Sequence, residues 1–335
     1  MGMVVGYSIG HGNLFSGILL HFACISFMGQ LVFDLLVMVR LLFAWGQKKM
    51  LSIPEDKSRR SFLRGSILLP ASAAAVALYG GLIEKNNTVV RKFDIPVAGI
   101  PDDIRGFSIA QLSDIHLGPF MSLDDLENLM EKTAALGCDI LVITGDLFDD
   151  KRINFKAASL IDTYVDRFKY GIVYCRGNHE HLRGIQAIDM AIARTRIRYL
   201  VNSVEYIVGS SLPIYMAGVD YPIKRDEFDF LRDKYADTAL KGIPEKSVKV
   251  LLAHHPDFID PAEKYGVQLV LSGHTHGGQL GLFGIPLVPP VFKYLRGIYH
   301  VGKTVGYVHS GNGSWFPFRF GCPPEIAIFT LTDNK

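Results

Sequence analysis

Cysteine, tryptophan and net charge are all scarce in this chain. Its 335 residues include four cysteines and two tryptophans, and its formal charge is +2. Acids and bases nearly balance, which argues against nucleic acid as the main partner. The cysteines show no paired spacing, so we interpret them as small core residues, with a disulfide between Cys138 and Cys175 left open: Cys24, Cys138, Cys175 and Cys322.

Apolar residues are abundant instead, at 49% of the chain, and they are concentrated near the amino terminus. The run at 14–33 is long enough to cross a bilayer as a helix. A shorter, alanine-rich run at 66–83 is nearly long enough to do the same. Neither run shows the polar face that a core helix of this length normally has. We therefore predict two transmembrane segments, with two buried core helices as the alternative.

The linker between these runs is rich in positive charge. Against only Glu55 and Asp56 it carries basic residues at Arg40, Lys48, Lys49, Lys57, Arg59, Arg60 and Arg64. The positive-inside bias places such a linker in the cytoplasm and everything after Ile83 on the outer side. The predicted location is therefore the inner (plasma) membrane, with the catalytic part on the extracytoplasmic side.

The segment 58–64 resembles a bacterial twin-arginine export signal, whose route carries proteins already folded around their metals. A basic loop that only orients two helices is an equal alternative. Because the apolar run continues past its small residues, an uncleaved anchor is favoured over a cleaved signal. The chain thus divides into a first transmembrane segment (1–46), a basic loop with a second transmembrane or signal segment (47–92) and a globular domain (93–335).

In the globular part, short runs of apolar and β-branched residues alternate with patterns of helical period. Strands are predicted at 107–112, 140–144, 171–175, 213–217, 248–253, 269–272, 305–310 and 326–331, and helices at 122–136, 155–168 and 185–195. Strands and helices that alternate, followed by late strands with no helix between them, predict a layered α/β fold in which sheet packs on sheet with helices outside.

Polar motifs follow the predicted strands. They are Asp114-Ile115-His116, Gly145-Asp146, Gly177-Asn178-His179-Glu180, His254 and Gly273-His274-Thr275-His276. Functional groups in α/β sheets gather at the carboxyl ends of strands. Each motif alone is more often a turn, but together they predict a metal site, in which carboxylate oxygen and imidazole nitrogen suit Mn, Fe, Zn or Ni. His255 is the alternative to His254 as a metal ligand, and His309 is a further candidate for lining the cleft.

In this order the motifs resemble those of the calcineurin-like metallophosphoesterase superfamily, over about residues 97–331. The resemblance implies a four-layer αββα sandwich that holds two divalent metal ions. The first ion would be held by Asp114, His116, Asp146 and His276, and the second by Asp146, Asn178, His254 and His274. His179 would act with the bridging Asp146 in catalysis, by stabilising the phosphoryl oxygen or protonating the leaving group, and would need a partner that orients its ring.

Segments 251–257 and 315–326 resemble more narrowly the membrane-anchored branch of that superfamily, which includes phosphodiesterases and lipid A biosynthesis enzymes that split UDP-2,3-diacylglucosamine. The resemblance implies a hydrolase of a phosphodiester or pyrophosphate bond in a lipid- or nucleotide-linked compound. That precursor is met in the cytoplasm, so either the substrate differs or the predicted orientation is wrong. A non-catalytic metal-binding membrane module with the same fold is the alternative function.

The late segment also contains a row of aromatic residues, Trp315, Phe316, Phe318 and Phe320. Such a row is more often sheet packing than a lipid-binding rim. Arg319 lies within it, and a guanidinium there predicts either a contact to a substrate phosphate or a structural ion pair.

Overall fold

The structure is a computed structural model that describes residues 14–51, 59–209, 211–282, 285–287, 291–314 and 316–333. Residues 52–58 of the predicted basic linker and Trp315 of the aromatic row lie outside these ranges. The described chain begins with two long helices, α1 (Leu14–Leu51) and α2 (Arg59–Leu78), and α2 continues into a π-helical turn (Tyr79–Ile83). Helix α1 therefore runs past residue 46, where the first segment was expected to end.

The two helices carry their apolar side chains on the outside. Phe22, Phe43 and Ile67 are each about two-thirds exposed, at 70%, 68% and 66%. The segments Leu19–Gly46 and Ile67–Asn86 are long and apolar enough to be candidate membrane spans. Small residues bring the helices together, since a Cβ on Gly29 would lie 3.3 Å from that of Ala77. The outward apolar surface favours the two predicted spans over two core helices.

The strands follow in chain order. They are β1 (Val89–Val97), β2 (Ser108–Leu112), β3 (Ile140–Thr144), β4 (Ile172–Cys175), β5 (Arg198–Leu200), β6 (Ser203–Val208), β7 (Ile214–Gly218), β8 (Val248–Leu252), β9 (Leu269–Ser272), β10 (Gly281–Leu282), β11 (Ile285–Pro286), β12 (Gly297–Val301), β13 (Thr304–Val308) and β14 (Glu325–Asp333). One sheet has the order β1-β14-β2-β3-β4-β5 and the other β12-β13-β9-β8-β7-β6, while β10 and β11 form a separate hairpin. In the first sheet β2 to β5 are parallel, and in the second β7, β8, β9 and β13 are.

Helices cover the outer face of each sheet. On the first sheet lie α3 (Leu123–Ala134), α4 (Asn154–Asp162) and α6 (Ile185–Ile192), and on the second lie α7 (Phe228–Leu240) and α8 (Ile259–Ala262). The short α5 (Asn178–Arg183) follows β4 and precedes α6. Between the sheets, Ile109, Val250 and Phe329 belong to one fully buried apolar cluster. The layers therefore run helix, sheet, sheet, helix, which confirms the predicted αββα sandwich.

The predicted strands are confirmed to within about two residues, but some elements differ. The helix expected at 155–168 ends at Asp162 and is followed by a 3-10 turn, Val165–Arg167. Strand β1 was not predicted, because its sequence is charged and lies at the edge of the sheet, and it starts before the domain boundary expected at 93. The cysteines are buried free thiols, as expected, so the open disulfide between Cys138 and Cys175 does not form.

Direct contacts join the end of the helix pair to the sandwich. The backbone N–H of Arg319 donates to the carbonyl of Gly80 (3.1 Å), and that of Cys322 donates to the buried carboxylate of Glu84 (2.9 Å). The ring of Phe318 packs directly on Gly80, where no side chain would fit. Phe318 belongs to the aromatic row that was expected to pack within a sheet. It packs instead against the end of the helix pair.

Candidate metal centre

The predicted motifs meet at one edge of the sandwich. Asp114 and Asp146 each come two residues after a strand of the first sheet, β2 and β3, and Asn178 begins α5 after β4. His254 and His274 each come two residues after a strand of the second sheet, β8 and β9. Because these strands are parallel within each sheet, their carboxyl ends bring the side chains together.

Among the described residues, three groups of possible ligand atoms form there, and within each group the atoms lie within 4.8 Å of one another. One is His116, Asp149 and His179, and the other two consist entirely of predicted ligands. Of these two, the first group contains Asp114, His116 and His276, and the second contains Asp146, His254 and His274. Asn178 joins the second group, since its Oδ1 lies 2.8 Å from Nδ1 of His274. The structure thus brings together all seven residues predicted as metal ligands.

Asp146 lies between the two groups. Its Oδ2 is 3.2 Å from Nε2 of His254 in the second group and 3.7 Å from Nε2 of His116 in the first. Its other oxygen, Oδ1, accepts the backbone N–H of His179 (2.8 Å). One carboxylate oxygen therefore reaches both sets of imidazoles, which is the position that a bridging ligand requires.

The chemistry of this centre fits cations. The Nε2 atoms of His116 and His276 lie only 2.9 Å apart, and Nε2 of His254 is buried and has no hydrogen-bond partner in the described part of the chain. Among the described residues, no lysine or arginine lies within 4.0 Å of the buried carboxylates of Asp114 or Asp146. Buried carboxylates are stable only when paired or bound to a metal, so His and Asp groups are placed here for metal binding.

The pKa values of the histidines also indicate that the centre favours a positive charge. Burial opposes protonation of His254, yet the carboxylates of Asp146 and Asp114 raise the pKa of its imidazole to about 10. A proton on this ring thus takes the place of a cation. Burial, helped by neighbouring imidazoles, holds the pKa of His274 and of His276 well below the usual value, which leaves both rings neutral, as ligands must be.

The backbone of the centre is strained at its ligands. Positive φ angles occur at Asp114 (52°), His116 (52°), Asp146 (51°), His274 (73°) and His276 (51°). Residues with a Cβ rarely adopt this left-handed region, and those that do cluster at functional sites. Among the described residues outside the predicted ligand set, only Asn202 and Gln279 share this conformation without being glycine.

Asp149 was not predicted from the sequence, yet it contacts two of the histidines. Its carboxylate accepts from Nδ1 of His179 (2.5 Å) and from Nδ1 of His116 (3.1 Å). A proton on each Nδ1 leaves Nε2 of each ring to face the centre, so Asp149 fixes both tautomers. Burial disfavours the His179 cation, but Asp146 and Asp149 raise the pKa of this imidazole to about 9. Asp149 is the orienting partner that His179 was expected to need.

The carboxylate of Glu180 joins the loop after β3 to the loop after β4. Glu180 is fully buried, and its carboxylate accepts the backbone N–H groups of Asp146 (3.0 Å), Leu147 (2.8 Å) and Gly177 (2.7 Å). These bonds hold the turn after β3 against the start of α5. The sequence places Glu180 in the Gly-Asn-His-Glu motif without indicating a role, and only the folded structure shows what it binds.

Several other candidates lie outside both groups. His255 packs its ring on Phe228, with centroids 4.6 Å apart, and burial lowers its pKa to about 3. His309 is fully buried and accepts the N–H of Gly311 (2.9 Å) through Nδ1. The structural ion pair expected for Arg319 is wrong among the described residues, because this buried guanidinium donates to the backbone carbonyls of Ser310, Gly313 and Cys322. The alternative contact to a substrate phosphate stays a prediction.

The comparisons with known proteins agree with this geometry. Residues 107–278 match the family model described as calcineurin-like phosphoesterase. An uncharacterized metallophosphoesterase of Bacillus subtilis is 30% identical over 83% of this chain and 99% of its own length. An uncharacterized metallophosphoesterase of Helicobacter pylori is 35% identical over 67% of this chain and 59% of its own length. A transmembrane protein with metallophosphoesterase domain from Danio rerio is 27% identical over 83% of this chain and 65% of its own length. The chain belongs to the calcineurin-like phosphoesterase family.

Proposed function

We propose that this protein is a membrane-anchored phosphoesterase that hydrolyses a phosphodiester or pyrophosphate bond with two divalent metal ions. One observation carries the proposal: a single oxygen of Asp146 lies within 3.7 Å of imidazoles from both ligand groups. A shared carboxylate of this kind is what distinguishes a two-metal centre from two separate sites.

Each of the two ions would have ligands from loops of both sheets. The first would be held by Asp114, His116, Asp146 and His276, and the second by Asp146, Asn178, His254 and His274. When bound, such ions polarise phosphoryl oxygens and lower the pKa of a water molecule. The mixed oxygen and nitrogen donors suit Mn, Fe, Zn or Ni.

His179 supplies the proton in this proposal. Its Nδ1 is bound by Asp149, so Nε2 is the free ring atom, and it lies 3.9 Å from Oδ2 of Asp146. The side chain is 19% exposed, whereas those of the predicted ligands His116 and His254 are at most 1% exposed. In the metal-free protein the carboxylates of Asp146 and Asp149 raise the pKa of this ring to about 9, and we propose that Asp149 keeps a proton on it for the leaving oxygen of the substrate.

The anchor favours a substrate that is itself attached to a membrane. The two candidate spans would keep the centre near amphiphilic compounds, and a relative from Danio rerio is named as a transmembrane protein. The substrate class we favour is a lipid- or nucleotide-linked phosphoester, and UDP-2,3-diacylglucosamine belongs to it only for a sandwich that faces the cytoplasm. The extracytoplasmic orientation predicted from the basic linker is tested by protease treatment of intact spheroplasts, in which a protected sandwich would reverse it.

Hydrolysis of bis-p-nitrophenyl phosphate with added Mn²⁺ tests the proposal. Asp146→Asn removes a charge that both ions would share, so we expect its rate to fall by about a thousandfold or more. Asp226→Asn, at an exposed aspartate on the surface, is the matched control and should keep the wild-type rate. Equal rates for the two variants would refute the two-metal mechanism, and a wild type without metal-dependent hydrolysis would leave a non-catalytic metal-binding module as the better description.

A further inference from the structure

A cavity of about 520 Å³ lies where the helix pair meets the sandwich. Its walls come from the amino-terminal end of α1, the turn after α2, the loop after His116, helix α3 and the loop after β13. The polar side chains in its lining include His21, Lys85, Asn128 and Lys132. None of these residues belongs to the metal centre described above.

The cavity shares its walls with loops that carry predicted metal ligands. Gly118 lines it two residues after His116. On the other side, Asn312 and Gly313 line it and bond to the first ligand loop: the side chain of Asn312 accepts the N–H of Ser113 (2.9 Å), and Gly313 donates to the carbonyl of Asp114 (2.9 Å). A molecule bound in the cavity therefore sits next to the backbone that holds the metal centre.

The cavity also lies at the end of both candidate membrane spans. His21 is near the start of the span Leu19–Gly46, and Lys85 is in the last turn of the span Ile67–Asn86. The ring of His21 meets that of Phe120, in the loop after His116, edge to face at 4.9 Å. The end of a membrane span lies at the polar headgroups of the bilayer, and lysine side chains at helix ends bind those headgroups.

Two lysines give the cavity its positive charge. Among the described residues, neither Lys85 nor Lys132 lies within 4.0 Å of a carboxylate. The lining also includes Asp125, but its carboxylate is held by the N–H (2.9 Å) and hydroxyl (2.7 Å) of Ser122 at the start of α3. Asp125 keeps its charge and attracts Lys85 without a contact within 4.0 Å, so the cavity presents two ammonium groups against one carboxylate. This excess of positive charge at headgroup level suits an anion.

We propose that this cavity binds the anionic phosphate headgroup of a membrane lipid, with Lys85 and Lys132 as its cationic ligands. The role of the cavity rests on the proposed function, because it would hold a lipid substrate beside the metal centre. The binding itself depends only on the lysines and the anchor, so it is measurable without catalysis.

The test is lipid binding by the full chain in detergent micelles, measured by native mass spectrometry after the metals are removed with EDTA. The probes are dioleoylphosphatidic acid, dioleoylphosphatidylcholine and glycerol 3-phosphate. We expect phosphatidic acid to bind more tightly than the other two probes. Phosphatidylcholine bound equally well would overturn the anionic headgroup, and glycerol 3-phosphate bound equally well would show that a free phosphate, not a lipid, is the ligand.

Variants assign the binding to this cavity. The double change Lys85→Gln with Lys132→Gln should weaken phosphatidic acid binding about tenfold, whereas Lys85→Arg with Lys132→Arg should retain it because the charge stays. Lys246→Gln with Lys303→Gln is the matched control, since both are exposed lysines at the amino ends of β8 and β13, opposite the metal centre. Unchanged binding in the glutamine pair would refute the proposal, whereas failure to hydrolyse bis-p-nitrophenyl phosphate would refute only the proposed function.

Discussion

The interface between the two sheets and the loops that follow their strands are equally shielded from water, yet their chemistry is opposite. Between the sheets, Ile109 and Val250 are apolar and fully buried. A few residues further along the same two strands, Asp114 and His254 are just as buried but carry a charge or a titratable ring. Burial of the first pair is favourable in itself, whereas burial of the second is costly unless a cation balances it.

The backbones differ in the same way. The strands adopt ordinary extended conformations, but five residues of the loops hold positive φ angles at an expected cost of about 1 to 3 kcal/mol each. Strand packing must supply the free energy that holds these loops in place. The residues that stabilise the fold and the residues that carry the chemistry are thus only a few positions apart in the chain. Single substitutions should therefore alter stability or activity and spare the other.

The largest effect that would sharpen this contrast is expected at Asp149. Asp149→Asn removes the charge that orients His179 and His116, so kcat should fall by about 100- to 10,000-fold while the melting temperature changes little. Its neighbour gives a matched control, because the carboxylate of Asp150 binds Arg152 at the surface and Asp150→Asn should keep near-normal turnover. Wild-type kcat for Asp149→Asn would break the link between this carboxylate and catalysis.

An intermediate effect of the opposite kind is expected between the sheets. Ile214→Ala, at a fully buried position of β7, should lower the free energy of unfolding by about 3 kcal/mol through the cavity it leaves. Turnover per folded molecule should stay unchanged. Ile298→Ala, at a position 39% exposed on the edge strand β12, is the control and should cost far less in urea denaturation. A large loss of kcat in Ile214→Ala would contradict the separation.

The smallest effect concerns the strained backbone. At His276, where φ is 51°, His276→Gly should leave the metal-free protein about 1 kcal/mol more stable than His276→Ala, because glycine adopts this conformation without strain. At Ile214, in an extended strand, the order of the glycine and alanine variants should be reversed. Denaturation of the four variants measures both differences, and the same order at both positions would rule out strain at the loop.

The sequence predicted most of this architecture because the strands beside the motifs are short, apolar and bounded by polar residues. The elements it missed include the edge strand β1, whose apolar residues are interrupted by Arg91, Lys92 and Asp94, the short strands β5, β6 and β12, and α7, whose apolar residues are interrupted by acids and bases. Asp149 was also missed, since three residues after Asp146 it has no motif of its own, and its contacts to His116 and His179 exist only once the loops fold together. The role of Arg319 was not predicted, because a guanidinium that binds mainly backbone carbonyls leaves no pattern in the sequence.

The contacts of Gly80 and Glu84 with the loop at 318–322 have a consequence for the proposed membrane anchoring. A domain on a flexible tether samples many tilts and distances, but this one is fastened to the helix pair within a few residues of Lys85. With the helix pair in a bilayer, as proposed, these contacts would fix the height and angle of the metal centre above the lipid surface. The reach of the enzyme should accordingly be narrow, selecting scissile bonds by their depth at the bilayer as much as by their chemistry.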